Sequence, residues 1–591
     1  MEEREHWRGR SVFIMAAIGS AVGLGNLWRF PYMCAANGGG AFLIPYFIAL
    51  LTAGIPIMII EYGLGTRAQG SAHQALAEIN PKFAPIGWVA ILGAFVVNIY
   101  YCVVMAWSWN FLFQSFTMTE WAATLQQSSD HFVKDVLGLT SGPWGWGTLK
   151  WPLFFGLLGT WFSMWMIIHG GLGRIGRVLL LTVPLPVILV VILVIRGITL
   201  EGASVGLNYY LSPDFSRLAD PAVWRNAYGQ VFFSLSLGFG TLLVYASFMP
   251  KNTEVPNSAF ITSFANCAFS FLAGFAVFSV LGYVAYTAAI GPDGTVDLAA
   301  AAEGMKALGS SSGPGLAFVA YPMAIAKLPF WVPLFGFLFF LTLLTLGIDS
   351  AFSLLETTSA ALMDKFGWKR LPSVTLVTVI SFALGLPIIT GAGLYWLDII
   401  DHYALGYVIT TAALLECVIV GWVLGPKTLA KELNINAEIR LGRLWGFLVK
   451  YFTPLVLGSI LAWNIVDELR NPYGGYDSWA LVAGARLTIE AAIIAAVVLS
   501  LLPTRGASAR SRGRERSLRL LKLLGFLVLY VGIRTFVLAA RRSGMEFTAV
   551  LLMLFGILLL YGGLCVCLYI AWRCHRGRCA PQQHPPEEGA S

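Results

Sequence analysis

Three short stretches carry residue types that could bind an ion or a small polar ligand inside a very apolar chain. The first is Gly19-Ser20-Ala21-Val22-Gly23-Leu24-Gly25-Asn26, whose closely spaced glycines make a poor helix centre. The second, Ser234 to Gly240, again mixes serine with glycine. The third is Asp349, a carboxylate in the middle of an apolar run. A charge at that depth is costly unless it is paired, so an ion site is its default interpretation.

The glycine-rich stretch 19–26 lies in the centre of a hydrophobic segment that is long enough to cross a bilayer. Broken backbone persists in lipid only where protein or a cavity supplies its hydrogen bonds. One interpretation is therefore a binding site at membrane depth, with backbone carbonyls and half-helix ends facing it. The other is a kinked packing helix with small residues at a close crossing. Glycine content alone leaves both open.

Composition identifies the protein class. Of 591 residues, 57% are hydrophobic and only 12% are charged, and the mean hydropathy is +0.72. Apolar runs of about 20 residues, the length that spans a bilayer as a helix, recur along the chain. We therefore predict an all-α integral membrane protein embedded in a lipid bilayer. The net charge of +8 does not indicate a nucleic-acid partner, because the Lys and Arg fall in short loops and form no continuous stripe.

The hydrophobic pattern predicts twelve core spans plus two extra C-terminal spans. The core spans are 11–36, 41–66, 86–116, 151–169, 175–196, 225–250, 258–289, 330–362, 372–391, 395–424, 445–467 and 479–502, and the extra pair is 520–540 and 547–572. Basic loops alternate with acidic ones, which predicts that both termini are cytoplasmic. The domains are then a cytoplasmic N-terminus (1–10), a transporter core (11–502), a basic linker (503–519), the extra pair (520–572) and a cytoplasmic tail (573–591). The absence of any glycosylation sequon fits an inner cell membrane.

The two polar breaks fall in the first and the sixth predicted spans. Breaks at corresponding positions are typical of two five-span repeats of inverted topology, with the binding site at their interface near the bilayer midplane. The repeats would be 11–196 and 225–424, followed by spans 11 and 12 at 445–502.

Several motifs resemble those of the neurotransmitter:sodium symporter family. They are Arg4-Glu5-His6-Trp7, Gly19 to Pro31, Asn37 to Phe42, Gly229 to Gly240, Thr345 to Ser350, and the pair Asp398 and Asp401. The resemblance covers the twelve core spans in order and does not extend over 503–591. It implies the LeuT-like 5+5 inverted repeat and a transporter, not an enzyme, that couples sodium entry to import of a small molecule.

The resemblance also implies which residues bind the substrate. Family members that carry monoamines have an aspartate at the position of Gly23, so glycine there leaves room for a carboxylate on the substrate and favours an amino acid. A mostly apolar lining suggests a neutral, hydrophobic side chain. The implied pocket residues are Ser20, Ala21, Gly23, Leu24, Gly25, Val97, Tyr101, Phe233, Ser234, Ser236, Phe239, Ser350 and Leu354.

Two sodium ions and one chloride follow from the same comparison. The first sodium site would use Ala21, Asn26, Ser234 and Asn266, and the second Gly19, Val22, Leu346, Asp349 and Ser350. Some bacterial relatives have a glutamate where this chain has Ser270, whereas chloride-dependent relatives have serine. The implied chloride site comprises Tyr46, Gln230, Ser234, Asn266 and Ser270.

Two charge pairs are expected to gate the pocket. Arg29 and Asp401 would close it on the outer side, and Arg4 and Asp364 on the inner side. Glu61 is expected to be a structural charge that needs a partner.

Two alternatives remain beside transport: a non-transporting amino acid sensor on the same fold, with the extra spans as its signalling arm, and a membrane enzyme. The spans carry no metal-ligand cluster, nucleophile elbow or phosphate loop, which disfavours an enzyme. The extra helices 520–572 could mediate a homodimer.

Overall fold

The architecture was taken from a computed structural model, which describes residues 5–309 and 313–503. Within these ranges the chain is helical, and β pairing is limited to two isolated bridges. Short 3-10 and π turns interrupt several helices. The predicted linker beyond Pro503, the two extra spans and the tail lie outside the described residues, as does Arg4.

Twenty helices of six residues or more, counting helices joined through such turns as one, are labelled here in chain order. They are α1 (Arg10–Ala21), α2 (Leu24–Ala36), α3 (Gly40–Ala68), α4 (Ala72–Ile79), α5 (Pro81–Trp121), α6 (Leu125–Asp130), α7 (Trp151–Ile168), α8 (Leu172–Ile198), α9 (Ala203–Leu211), α10 (Pro221–Ser234), α11 (Thr241–Ser247), α12 (Pro256–Ala288), α13 (Leu298–Gly309), α14 (Gly313–Ala326), α15 (Val332–Phe366), α16 (Arg370–Ile389), α17 (Gly393–Leu424), α18 (Pro426–Leu433), α19 (Arg443–Gly475) and α20 (Ser478–Leu501).

Ten of these helices in the described ranges are long and apolar enough to cross a membrane. Helices α1 and α2 form an eleventh candidate span, which bends by 59° between them. The predicted sixth span is divided into α10 and α11, and each of these is too short to cross a bilayer alone. The membrane-spanning, all-helical prediction is thus confirmed, whereas the inverted repeat and the count of twelve stay predictions.

The broken segments lie at the centre of the bundle. The middle of α5 and of α15 is buried on nearly every side. These two helices pack against each other, and α15 also packs against α1 and α2. Helices such as α8 and α19 instead expose most of their apolar side chains. The inner helices therefore surround the two breaks, and the outer helices form the surface suited to lipid.

The segment between α12 and α15 contains two shorter helices. The structure places α13 and α14 there, with Ile290 and Val296 paired in an isolated bridge before them. Phe318 of α14 packs edge-on against Trp28 at 6.0 Å between ring centroids. This segment therefore packs against α2.

Candidate functional site

One small cavity lies between the two breaks. It has about 40 Å³ of space open to the centres of water molecules. Its lining residues are Ser20, Ala21, Gly23, Gly25, Asn26, Val97, Tyr101, Phe233, Ser234, Ser236, Phe239, Ser350 and Leu354. The structure thus brings together twelve of the thirteen residues expected for the substrate pocket. The thirteenth, Leu24, donates its backbone N–H to the Tyr101 hydroxyl at 3.0 Å.

The first break keeps its shape through close packing. Gly23 adopts an extended conformation with φ −130°, which any residue can adopt. The need for glycine is spatial, because an added Cβ would lie 2.5 Å from Ser350 Oγ and 2.8 Å from Tyr101 Oη. At Gly25 a Cβ would collide with the Phe233 ring. The glycines therefore let α5, α10 and α15 approach the backbone of the break.

The second break is shaped by backbone conformation. Ser236, Gly238 and Gly240 all have positive φ, at 53°, 79° and 69°. Such values are unfavourable for a non-glycine residue and cluster at functional sites. The Ser236 hydroxyl donates to the Ser20 carbonyl at 3.3 Å, and the Gly238 N–H donates to Glu61 at 2.7 Å. These bonds connect the second break to the first and to α3.

Three residues of the predicted first sodium site form one hydrogen-bonded group. Asn26 Nδ2 donates to Asn266 Oδ1 at 2.8 Å and to Ser234 Oγ at 3.1 Å, and Asn266 Nδ2 donates to Ser234 Oγ at 2.7 Å. All three side chains are buried. Asn26 Oδ1 also accepts the Gly23 N–H at 2.8 Å. The group therefore links α2, α10 and α12 beside the cavity.

The predicted second sodium site surrounds Asp349. Gly19, Val22, Leu346 and Asp349 line one cleft, which also includes Thr182 of α8. A Cβ at Gly19 would lie 2.9 Å from an Asp349 carboxylate oxygen, so α1 and α15 are in close contact here. Asp349 is buried, and its Oδ1 has no hydrogen-bond partner in the structure. Ser350, the fifth predicted ligand, donates its hydroxyl to the Ser20 carbonyl at 3.1 Å.

Polar atoms without partners also occur among the residues of the predicted chloride site. Tyr46 and Gln230 are almost fully buried, and neither the Tyr46 hydroxyl nor the Gln230 amide has a hydrogen-bond partner in the structure. Ser270 accepts from Asn26 Nδ2 at 2.7 Å and so adjoins the sodium-site group. Buried polar atoms of this kind are rare without a water or an ion to satisfy them.

The two residues of the expected outer gate each contact another side chain. The Arg29 guanidinium lies 4.3 Å from the centroid of the Phe233 ring, and Asp401 accepts a hydrogen bond from Tyr100 at 2.6 Å. No ion pair within 4 Å joins Arg29 and Asp401 in the structure. At the expected inner gate, Asp364 accepts the Ser71 N–H at 2.8 Å. Its expected partner Arg4 lies outside the described residues.

A charge network that the sequence analysis missed lies on the same side as the N-terminus. Arg370 binds the fully buried Glu356 at 2.7 Å and Glu5 at 3.1 Å. Glu5 also accepts the Leu172 N–H, at the start of α8. The three charges fasten the N-terminal segment to α15, α16 and α8. The sequence does not indicate this network, because Arg370 and its partner Glu5 are 365 residues apart along the chain.

A second network joins the start of α1 to two loops. Arg10 contacts Glu254 at 2.9 Å and Glu438 at 2.5 Å. The hydrogen bond from Arg10 lowers the pKa of the exposed Glu438 carboxyl. Trp7, just before α1, is buried and donates its indole N–H to the Tyr245 carbonyl at 2.9 Å. The N-terminal segment is thus attached to α11, which begins directly after the second break.

Comparison with known proteins shows which family the chain belongs to. Residues 4–504 match the model of the sodium:neurotransmitter symporter family. The chain is 39% identical over 503 residues to an uncharacterized sodium-dependent transporter of Methanocaldococcus jannaschii, covering 85% of this chain and 98% of that protein. It is 33% identical to the sodium- and chloride-dependent taurine transporter of Rattus norvegicus, over 85% of this chain and 84% of the relative. It is also 33% identical to the human sodium- and chloride-dependent GABA transporter 2, over 83% and 85%.

The family match spans every described residue that lines the cavity, and the relatives align over most of their own length. All three relatives are described as sodium-dependent transporters and not as enzymes. This chain is therefore a sodium-dependent transporter and belongs to the sodium:neurotransmitter symporter family.

Proposed function

We propose that this transporter couples sodium entry to the import of a neutral amino acid with an apolar side chain, by alternating access in the cell membrane. The observation that carries the proposal is the lining of the central cavity, which contains no charged side chain among the described residues. An α-amino acid carries its ammonium and carboxylate at the same end, so only that end needs polar partners in the cavity. The remaining wall then decides which side chain is accepted.

The polar end of the cavity suits a carboxylate. The N–H groups in the first turn of a helix have no partner within that helix, and its N-terminus favours negative charge. Helix α2 begins at Leu24, directly after Gly23. Tyr101 accepts the Leu24 N–H, so its own hydroxyl proton is available to a substrate oxygen. An α-carboxylate at this position would receive hydrogen bonds from α2 and from Tyr101.

The opposite wall suits an apolar side chain. Val97, Phe239 and Leu354 are buried and present hydrocarbon surface to the cavity. A charged substrate side chain would lose its hydration there without gaining a partner. Because the cavity is small, a side chain of modest size is favoured, and closure around it would exclude water.

Two sodium ions would complete the site. Sodium prefers hard oxygen ligands, as other hard cations do. Asn26, Asn266 and Ser234 offer a group of side-chain oxygens next to the cavity, and the Ala21 carbonyl would join them. Asp349 has an oxygen without a partner and lies against Gly19, which fits a second ion held by Gly19, Val22, Leu346, Asp349 and Ser350.

A chloride ion beside the first sodium accounts for the buried donors without partners. The Tyr46 hydroxyl and the Gln230 amide N–H can both donate, and Ser234 and Ser270 retain hydroxyl protons after accepting from Asn26. No carboxylate occupies the position of Ser270. An anion held by these donors would balance the charge of the adjacent sodium.

Gating completes the proposed cycle. Arg29 and Asp401 would approach each other when substrate is enclosed, and Arg29 would then leave the Phe233 ring. On the inner side, Asp364 and Arg4, together with the Glu5, Arg370 and Glu356 network, would hold the N-terminal segment closed until release.

Uptake into proteoliposomes tests the proposal. Radiolabelled neutral amino acids, GABA and taurine are each offered with an inward sodium gradient, with potassium replacing sodium in the control. We expect sodium-dependent accumulation of an apolar α-amino acid and little of GABA or taurine. Accumulation of GABA or taurine alone would contradict the substrate class, and binding without accumulation would indicate a sensor.

Replacement of chloride by gluconate tests the anion separately. Transport should fall in the wild type and become chloride-independent in Ser270→Glu, because a fixed carboxylate would supply the missing negative charge. Unchanged transport of the wild type in gluconate would refute the chloride site.

A further inference from the structure

A large basic pocket lies away from the central cavity, between the end of α17, helix α18 and the start of α19. It has a volume of about 790 Å³ and is open on one side. Four cationic residues line it: Lys427, Lys431, Arg443 and Lys450. No Asp or Glu belongs to the lining. The pocket is therefore suited to a ligand with negative charge.

The carboxylates near this pocket are already engaged elsewhere. Glu432 of α18 pairs with Arg67 at 3.3 Å, and Glu438 pairs with Arg10. None of the four lining cations forms an ion pair with a carboxylate in the described part of the chain. Their charge is thus uncompensated within the described ranges.

The pocket lies at the level of a membrane surface. Helices α17 and α19 are candidate spans, and the pocket is formed where the first ends and the second begins. Exposed aromatic side chains surround it, with Trp422 59% and Phe447 54% accessible. Tryptophan and tyrosine are enriched at membrane–water interfaces, where one part of the ring faces lipid and the other faces water.

Contacts between α17 and α19 hold Lys450 beside the exposed aromatic side chains. Lys450 Nζ lies 4.9 Å from the Trp422 ring centroid and 5.5 Å from that of Tyr451. The Trp422 indole N–H donates to the Lys450 carbonyl at 3.0 Å, which joins α17 to α19. Charge and hydrocarbon surface are thus held side by side.

We propose that this pocket binds an anionic phospholipid of the surrounding bilayer. The headgroup phosphate lies among Lys427, Lys431 and Arg443, and the acyl chains follow the exposed surface beside Trp422 and Phe447. Basic pockets between membrane helices bind anionic headgroups in this way. A free phosphate would use the cations but not the adjoining apolar surface.

The bound lipid would stabilise a part of the molecule that contacts the transport core. Leu429 and Leu433 of α18 are buried and pack where Gly63 of α3 leaves space. The loop that follows α18 carries Glu438, which holds Arg10 at the start of α1. Lipid in the pocket therefore fixes a loop that contacts α1, the first half of the first broken span.

Native mass spectrometry of the full chain tests the proposal. The protein is purified from vesicles that contain equal amounts of phosphatidylglycerol and phosphatidylcholine with identical acyl chains, and retained lipid is counted. We expect preferential retention of phosphatidylglycerol. The triple variant Lys427→Gln/Lys431→Gln/Arg443→Gln should retain less phosphatidylglycerol by about fivefold or more. A single basic residue near an anionic surface already contributes about this factor.

A matched control removes the same charge outside the pocket. Lys251, Lys369 and Arg440 are exposed loop residues on the same side of the protein and do not line the pocket. Their triple glutamine variant should retain phosphatidylglycerol like the wild type. Equal losses in both triple variants would overturn the pocket in favour of general surface attraction.

A second variant narrows the pocket without changing its charge. An added Cβ at Gly446 of α19 meets only Pro426, at 3.8 Å, so Gly446→Leu should fold and place its side chain in the pocket. We expect this variant to lose phosphatidylglycerol as the charge variant does. The proposal would be refuted if Gly446→Leu retained as much phosphatidylglycerol as the wild type, or if the wild type retained both lipids equally. It would also be refuted if inorganic phosphate, at the same concentration as the lipid, displaced phosphatidylglycerol.

Discussion

The two broken segments both contain glycine, but they use it for different physical reasons. At the first break Gly23 has an ordinary extended backbone, and what it lacks is space for a Cβ beside Ser350 and Tyr101. At the second break Ser236, Gly238 and Gly240 have left-handed backbones. The first break thus depends on contact with neighbouring helices, and the second depends on local conformation.

Because of this difference, the first break should affect mainly ligand binding, and the backbone of the second break should affect mainly stability. The backbone of the first break faces the cavity, so a change there acts directly on the substrate. The second break also gives the side chains of Ser236 and Phe239 to the cavity, but its backbone is held by Glu61 and Ser20. A change of its backbone therefore acts first on the free energy of unfolding. Substitutions in the two breaks should therefore affect uptake and stability in different proportions.

The largest effect is expected for Gly23→Asp. The new carboxylate would lie where the substrate carboxylate is proposed to bind, and its Cβ would displace the Ser350 and Tyr101 hydroxyls. Amino acid uptake in proteoliposomes should fall to background while the protein remains monodisperse on gel filtration. Gly229→Ala in α10 is the control, because a Cβ there meets nothing within 4 Å. Normal uptake by Gly23→Asp would remove the first break from the binding site.

The positions of both breaks could be predicted from sequence, because polar and glycine residues interrupt apolar runs of fixed length. Span ends also agreed to within a few residues for most helices; for example, 258–289 was expected and Pro256–Ala288 is found. Bilayer thickness sets this length, so composition alone carries the information.

The partners of the second break could not be predicted. Glu61 was expected to need a partner, but nothing in its surroundings along the chain indicates the Gly238 N–H, which is 177 residues away. Similarly, Ser236 has no sequence feature that indicates a left-handed backbone, since glycine normally fills such positions. Long-range packing determines both, and periodicity does not report it.

Loss of Glu61 should have the next largest effect, and mainly on stability. Glu61→Ala leaves the buried Gly238 N–H without an acceptor, which costs about 1–3 kcal/mol. Glu61→Gln keeps an oxygen that can accept this bond and should cost less. Thermal unfolding in detergent, followed by tryptophan fluorescence, distinguishes them. Equal destabilisation by the two substitutions would mean that the hydrogen bond does not hold the second break.

Gly238→Ala should destabilise the protein by a comparable amount. A left-handed backbone costs a non-glycine residue about 1–2 kcal/mol, and the new Cβ would lie 2.9 Å from the Cβ of Ala413. We expect a lower unfolding temperature with sodium-dependent uptake still measurable. Gly229→Ala, in a regular helix of the same broken span, should be neutral or stabilising. Complete loss of uptake at unchanged stability would show that the second break, like the first, acts directly on the substrate.

The smallest effect is expected at Ser236, where two opposing contributions can be separated by two substitutions. Ser236→Gly removes the left-handed penalty of about 1–2 kcal/mol but also removes the hydroxyl that donates to the Ser20 carbonyl at 3.3 Å. Ser236→Ala removes only the hydrogen bond, which is worth about 0.5–1.5 kcal/mol. We therefore expect unfolding temperatures in the order glycine variant, wild type, alanine variant, with the first two close together. If the glycine variant is clearly less stable than the wild type, the bond to Ser20 outweighs backbone conformation, and the second break is held by contact as the first one is.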